Sequence, residues 1–157
     1  MRLTLVPVVV LFACGCHSGN KSYQSRVEMT RFDVVHRDDA GTPLTGDIEL
    51  EWTDCPGEQR EITRGNQAFV ECMAKYKPGD QLPVQVDWGW DAPSEQYDWD
   101  ITKVGDCTRP PEAHDEASFD MVQECETLKE QGVPVGFHCS RVPKHELLEK
   151  CPWFRRR

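Results

Sequence analysis

The chain has 157 residues, with 27 acidic against 18 basic side chains and a formal net charge of −9. That length bounds it to one domain plus an appendage. The acidic balance excludes binding along a phosphate backbone, which needs a field of Lys and Arg, so no nucleic-acid partner is expected.

The first element is an apolar run from Leu3 to Ala13 behind a lone Arg2. It is too short to span a hydrocarbon core of ~30 Å as a stable helix. Its length and flanks fit the apolar region of an export signal. The run ends Leu11-Phe12-Ala13-Cys14-Gly15-Cys16. An apolar residue, small residues and a cysteine in this order resemble the lipobox of bacterial membrane lipoproteins. The resemblance implies cleavage before the cysteine, a diacylglycerol on its thiol and an acyl chain such as palmitate on the new N-terminus. Two cysteines qualify. Cys14 has leucine three places before it but the bulky Phe12 between; Cys16 has small residues throughout.

Parity favours Cys16. Cleavage there leaves six further cysteines, Cys55, Cys72, Cys107, Cys125, Cys139 and Cys151, an even set for three disulfides. Cleavage before Cys14 strands Cys16 as an odd thiol. The mature chain would lose only Arg2 from its charged set and carry −10. Attachment then rests on acyl chains, each buried CH₂ contributing ~0.8 kcal/mol, and not on attraction to anionic lipid. His17 follows, not the aspartate tied to inner-membrane retention in some bacteria. The expected address is therefore the cell envelope, lipid-anchored at the outer membrane.

Residues 16–25 read as a polar tether. Within 26–107, Val27–Val35 reads as a strand whose apolar parity shifts near Arg31, as a β-bulge requires. Asp47–Trp52 alternates, with Ile48, Leu50 and Trp52 on one face. A short strand is expected over Arg60–Arg64. Asn66 is an N-cap candidate for a helix carrying Phe69, Cys72, Met73 and Tyr76. Leu82–Trp90 and Tyr97–Ile101 complete the set. Five strands with a helix between the third and fourth resemble the OB-fold, a small, partly open barrel. The fold class expected is thus α+β, β-rich: an OB-like five-stranded barrel with a disulfide-stapled C-terminal helical appendage over 108–157.

In that appendage Asp115 is a helix cap, Met121, Val122, Cys125 and Leu128 form a helical stripe, and Gly132 closes it. A short strand over Val133–Cys139 and a short helix over Pro143–Lys150 follow. The ending, from Gly105-Asp106-Cys107 to Lys150-Cys151-Pro152-Trp153-Phe154, is similar to small uncharacterised cysteine-rich lipoproteins of Gram-negative bacteria. That similarity implies no activity.

No C-x-x-C occurs among the six later cysteines, so they are expected as bridges and not as metal ligands or nucleophiles. The expected pairing is Cys55–Cys72, Cys107–Cys151 and Cys125–Cys139. Trp88, Trp90, Tyr97 and Trp99 fall on one face of a hairpin and extend its core stripe; at the barrel mouth they also form a candidate surface for a glycan or an envelope protein. Asp91, Glu95, Asp98 and Asp100 supply oxygens for calcium but lack the EF-hand spacing. His114-Asp115-Glu116 lacks the P-C-x-x-C of zinc deaminases. No nucleophile elbow or phosphate loop is present, so no catalytic residue, metal or cofactor is expected. The expected role is a non-enzymatic binding or scaffold module. The alternatives are an envelope hydrolase using carboxylates and a calcium-stabilised secreted module.

Overall fold

A computed structural model describes residues 19–91, 95–110, 120–141 and 145–155. Eight strands and two helices follow in the order β1 (Lys21–Arg37), β2 (Pro43–Trp52), β3 (Glu58–Asn66), α1 (Gln67–Met73), β4 (Gln81–Asp91), β5 (Gln96–Val104), β6 (Cys107–Thr108), β7 (Asp120–Glu130), β8 (Val133–Ser140) and α2 (His145–Lys150), with a 3₁₀ turn at Pro152–Phe154. All strands belong to one antiparallel sheet in the order β6-β5-β4-β1-β2-β3-β7-β8. Among the described residues no helix is long and apolar enough to cross a membrane.

β1 organises the sheet. Its first half, Lys21–Glu28, pairs with β4, and its second half, from Val27 onward, pairs with β2. The register slips between Met29 and Arg31, the bulge that the parity shift requires. A bulge bends a strand and raises its twist, so β1 can serve two neighbours whose directions diverge. β2 alternates as expected: Ile48, Leu50 and Trp52 are buried. Its outward acids are not simply solvated. Asp47 pairs with Arg64 at 2.6 Å, and Arg60 bridges Glu49 at 3.0 Å and Glu51 at 3.2 Å.

The sheet curls. β2 and β5 are three strand spacings apart in sheet order, which on a flat sheet is ~14 Å. Yet the rings of Trp52 on β2 and Trp99 on β5 lie 6.3 Å apart. Phe154 of the 3₁₀ turn packs against both, at 5.4 Å from Trp52 and 5.2 Å from Trp99. α1 closes the other end of this core. Asn66 caps it by accepting the Phe69 amide at 3.2 Å. Gly46 and Gly65 face each other across β2 and β3. A Cβ on Gly65 would fall on the Phe69 ring, and one on Gly46 would approach the Asp33 carbonyl at 2.9 Å. The paired glycines form the hollow that seats Phe69 and Val70.

The expected five-stranded, partly open barrel is corrected in its strand count: among the described residues the strands form one open sheet of eight. β3 and β5 are not hydrogen-bonded to each other as strands. The buried Arg109 side chain spans the seam instead. Its Nε donates to the Arg64 carbonyl at 2.8 Å and its Nη1 to the Ile101 carbonyl at 3.2 Å. The planar guanidinium suits this because its donors diverge in a fixed fork. Arg109→Lys should lower stability by about 1.5–3 kcal/mol, the worth of a charge-assisted hydrogen bond to a buried acceptor. Urea unfolding would measure it; an unchanged midpoint would show that the seam does not depend on the fork.

The appendage helix is also corrected. Asp115 lies outside the described residues, but Asp120–Glu130 is a strand that pairs with β3 and β8. The β7–β8 turn holds Gln131 at φ 52° and Gly132 at φ 85°. Two consecutive residues of positive φ make the two-residue turn whose twist matches a hairpin. The strand over Val133–Cys139 is found, as is α2, and the chain returns so that Leu147, Trp153 and Phe154 enter the same core. β1 begins inside the stretch read as a tether, because Ser22–Ser25 pair with β4.

Candidate functional site

The aromatic rim is built by one hairpin. β4 and β5 set Trp88 opposite Trp99 and Trp90 opposite Tyr97, so all four rings share a face. They do not share an environment. Trp99 is 6% exposed and belongs to the core, whereas Trp90, near the hairpin end, is 48% exposed. Trp88 and Tyr97 stack at 4.5 Å with planes 12° apart, and Trp90 meets Tyr97 edge-on at 5.3 Å. Lys21 places its ammonium 5.6 Å from the Trp88 ring centre. Trp88 is thus flanked by Tyr97 and Lys21, and the indole left open is that of Trp90.

The acids of the same hairpin alternate with these rings. Burial would raise the Asp87 carboxyl, but hydrogen bonds from Ser22, Thr102 and Gln85 outweigh it and hold it below its ordinary value. Asp98 accepts the Trp99 amide at 2.9 Å, and Asp100 is exposed. Both Asp98 and Asp100 are otherwise engaged. Residues 92–94 and the Asp91 side chain lie outside the described residues.

A second exposed surface lies on the β7–β8 hairpin, the outer edge of the sheet. Leu128, Val133, Val135 and Phe137 are all substantially exposed there. A pocket of about 170 Å³ opens beside Phe137, between Glu49, Arg60, Ile62, Gln123 and Cys139. The Arg60 guanidinium lies 4.3 Å from the Phe137 ring centre, a cation–π contact. Thr127 donates to Glu58, which fixes the base of the hairpin to β3.

All six later cysteines are bridged: Cys55–Cys151, Cys72–Cys107 and Cys125–Cys139. Two expected pairings are therefore corrected, and Cys125–Cys139 stands as expected. The reason is the C-terminal return. It carries Cys151 to the end of β2 beside Cys55, leaving Cys72 on α1 to meet Cys107 on β6. Cys72, Asp106 and Cys107 are grouped closely enough to suggest a metal site. Their chemistry does not fit one, because both sulfurs are spent in a disulfide. The Asp106 carboxyl is held down to about 2 by Lys75 at 2.6 Å and by the Tyr76 hydroxyl at 2.5 Å.

Cys14, Cys16 and the His114-Asp115-Glu116 triplet lie outside the described residues. Two elements escaped the sequence reading. One is Arg109, whose neighbours Thr108 and Pro110 read only as a boundary. The other is Glu61, which lies fully buried on the inner face of β3 between Gln59 and Thr63; the alternation Gln59-Glu61-Thr63 resembles a solvated face and gave no signal. No family model, curated protein or solved structure matches this chain.

Proposed function

We propose that this chain is a lipid-anchored envelope protein, exported and attached through Cys16, whose OB-like body is a non-enzymatic binding or scaffold module. The observation that carries the reading is the pairing of every cysteine beyond position 16. Three disulfides call for an oxidising compartment, and their even use supports the parity argument that selects Cys16 over Cys14. The OB-like description is supported by the order β5-β4-β1-β2-β3, by a β1 shared between two halves, and by a helix between β3 and β4. The partner-binding surface in this reading is the β7–β8 hairpin. β8 is the last strand of the sheet, and Val133–Ser140 contains no Asp, Glu, Lys or Arg. Natural edges are commonly guarded by such charges or by proline, and here Pro134 guards only the start of the strand, ahead of Val135–Ser140. An extended segment of an envelope protein would add there as a further strand, with Val135 and Phe137 giving selectivity.

The anchor is tested by expressing the chain in a Gram-negative host and measuring intact mass after fractionation. The expected species starts at Cys16, carries the diacylglyceryl and acyl masses, and sediments with outer membrane. Cys16→Ser should carry neither lipid nor the processed N-terminus. A wild-type chain found soluble and lipid-free would overturn the proposal. A photo-crosslinking residue at position 137 should yield a discrete adduct that the same residue at the exposed Lys103 does not.

A further inference from the structure

We propose that the Trp88–Trp90–Tyr97 rim is a membrane-interface contact, seated in the headgroup layer of the bilayer that holds the anchor. This rests on the lipid-anchored reading above. The chain meets the rim at Asn20. A Cβ built on Gly89 would lie 2.8 Å from Asn20 Oδ1, so the chain entering β1 presses on the hairpin backbone between Trp88 and Trp90. Lys21 then pairs with Trp88. The entry point of the chain is therefore part of the rim itself.

Only four residue steps separate Asn20 from Cys16. Fully extended, they reach at most ~14 Å; anchoring at Cys14 would allow ~21 Å. A diacylglycerol on that cysteine keeps its glycerol at the level where headgroups meet acyl chains. The hydrocarbon core is ~30 Å thick within a bilayer of ~40–45 Å, so each headgroup layer is only several ångströms deep. The tether is thus short enough to bring the rim into that layer and too short to let the body roam.

The rim has the chemistry this layer selects. Trp and Tyr concentrate at membrane interfaces, where an apolar ring with a polar edge meets both phases. Trp90 is the half-exposed indole, and Lys21 beside Trp88 can extend its ammonium toward phosphate. The neighbouring acids alternate with the rings along both strands, and Asp87 is held by Ser22, Thr102 and Gln85. The acidic body makes a zwitterionic leaflet the fitting surface, with adhesion that depends on the aromatic rings and not on salt.

The test uses the acylated full-length protein in phosphatidylethanolamine–phosphatidylcholine vesicles carrying shallow-brominated acyl chains, with intact mass taken on the same sample. Trp52, Trp99 and Trp153 are buried. Lipid quenching of fluorescence is therefore expected from Trp88 and Trp90, and Trp90→Phe should reduce it roughly twofold, as an interfacial indole requires. Because Trp90 is half exposed, the variant keeps its fold, which near-UV circular dichroism from the Trp52–Trp99 pair will verify. Acylated protein whose quenching is the same with and without Trp90 overturns the inference and leaves the anchor standing. Protein without acyl mass overturns both. Trp90 fluorescence that ignores brominated lipid but changes with soluble envelope glycan fragments overturns it in favour of sugar stacking.

Discussion

Trp52→Ala should remove about 3–5 kcal/mol of folding stability, the range for truncating a buried aromatic, and lower the melting temperature by roughly 10–20 °C. Trp52 is 1% exposed and lies where three parts of the chain meet. Its ring contacts Trp99 of β5 at 6.3 Å, Trp153 at 5.4 Å and Phe154 at 5.4 Å. The cavity would open between the curled sheet and its C-terminal plug, and neither side can move far to refill it. Thermal and urea unfolding followed by near-UV circular dichroism would measure the effect. A loss below about 1 kcal/mol would place Trp52 among surface substitutions and refute the packing described here.

Removing the Cys55–Cys151 bridge should cost a similar amount by a different route. The two cysteines are 96 positions apart. Closing a loop of that size lowers the entropy of the unfolded chain by an amount worth about 4–5 kcal/mol. Cys55→Ala combined with Cys151→Ala is the suitable variant, since both sulfurs are buried and a hydroxyl would be left without water. The Cys125–Cys139 bridge spans 14 positions and should be worth about 3 kcal/mol by the same relation. The expected ranking is that loss of Cys55–Cys151 destabilises more, and that it alone frees Trp153 and Phe154 to solvent quenchers. The reverse ranking would mean that the C-terminal turn is held by packing without its bridge.

Much of the sheet was legible because its signals were local. The alternation of Ile48, Leu50 and Trp52, the parity shift at Arg31 and the cap at Asn66 each follow from neighbours in sequence, and each is found. β7 failed for a definite reason. Met121, Val122, Cys125 and Leu128 fit helical spacing, and Gly132 fits a helix end. A helix terminus and a tight hairpin both demand positive φ, so glycine marks either. What decides is the pairing of β7 with β3 on one side and β8 on the other, which no local pattern contains. The disulfides divide by sequence separation: Cys125–Cys139 joins positions 14 apart and was found although β7 was not, while Cys55–Cys151 depends on where residues 145–155 return. The rim was legible as one face of a hairpin. That Trp99 sinks into the core while Trp90 stays open depends on the curl, which is a property of the whole sheet.

The position of β1 has a mechanical consequence. Any pull on Asn20 enters the body along a central strand that is bonded to β4 on one side and to β2 on the other. Force along such a strand loads its backbone hydrogen bonds in shear, so they must fail together and cannot be peeled one by one from an edge. If the chain is held through Cys16 as proposed, a pull at that anchor would load the body in shear and not by peeling.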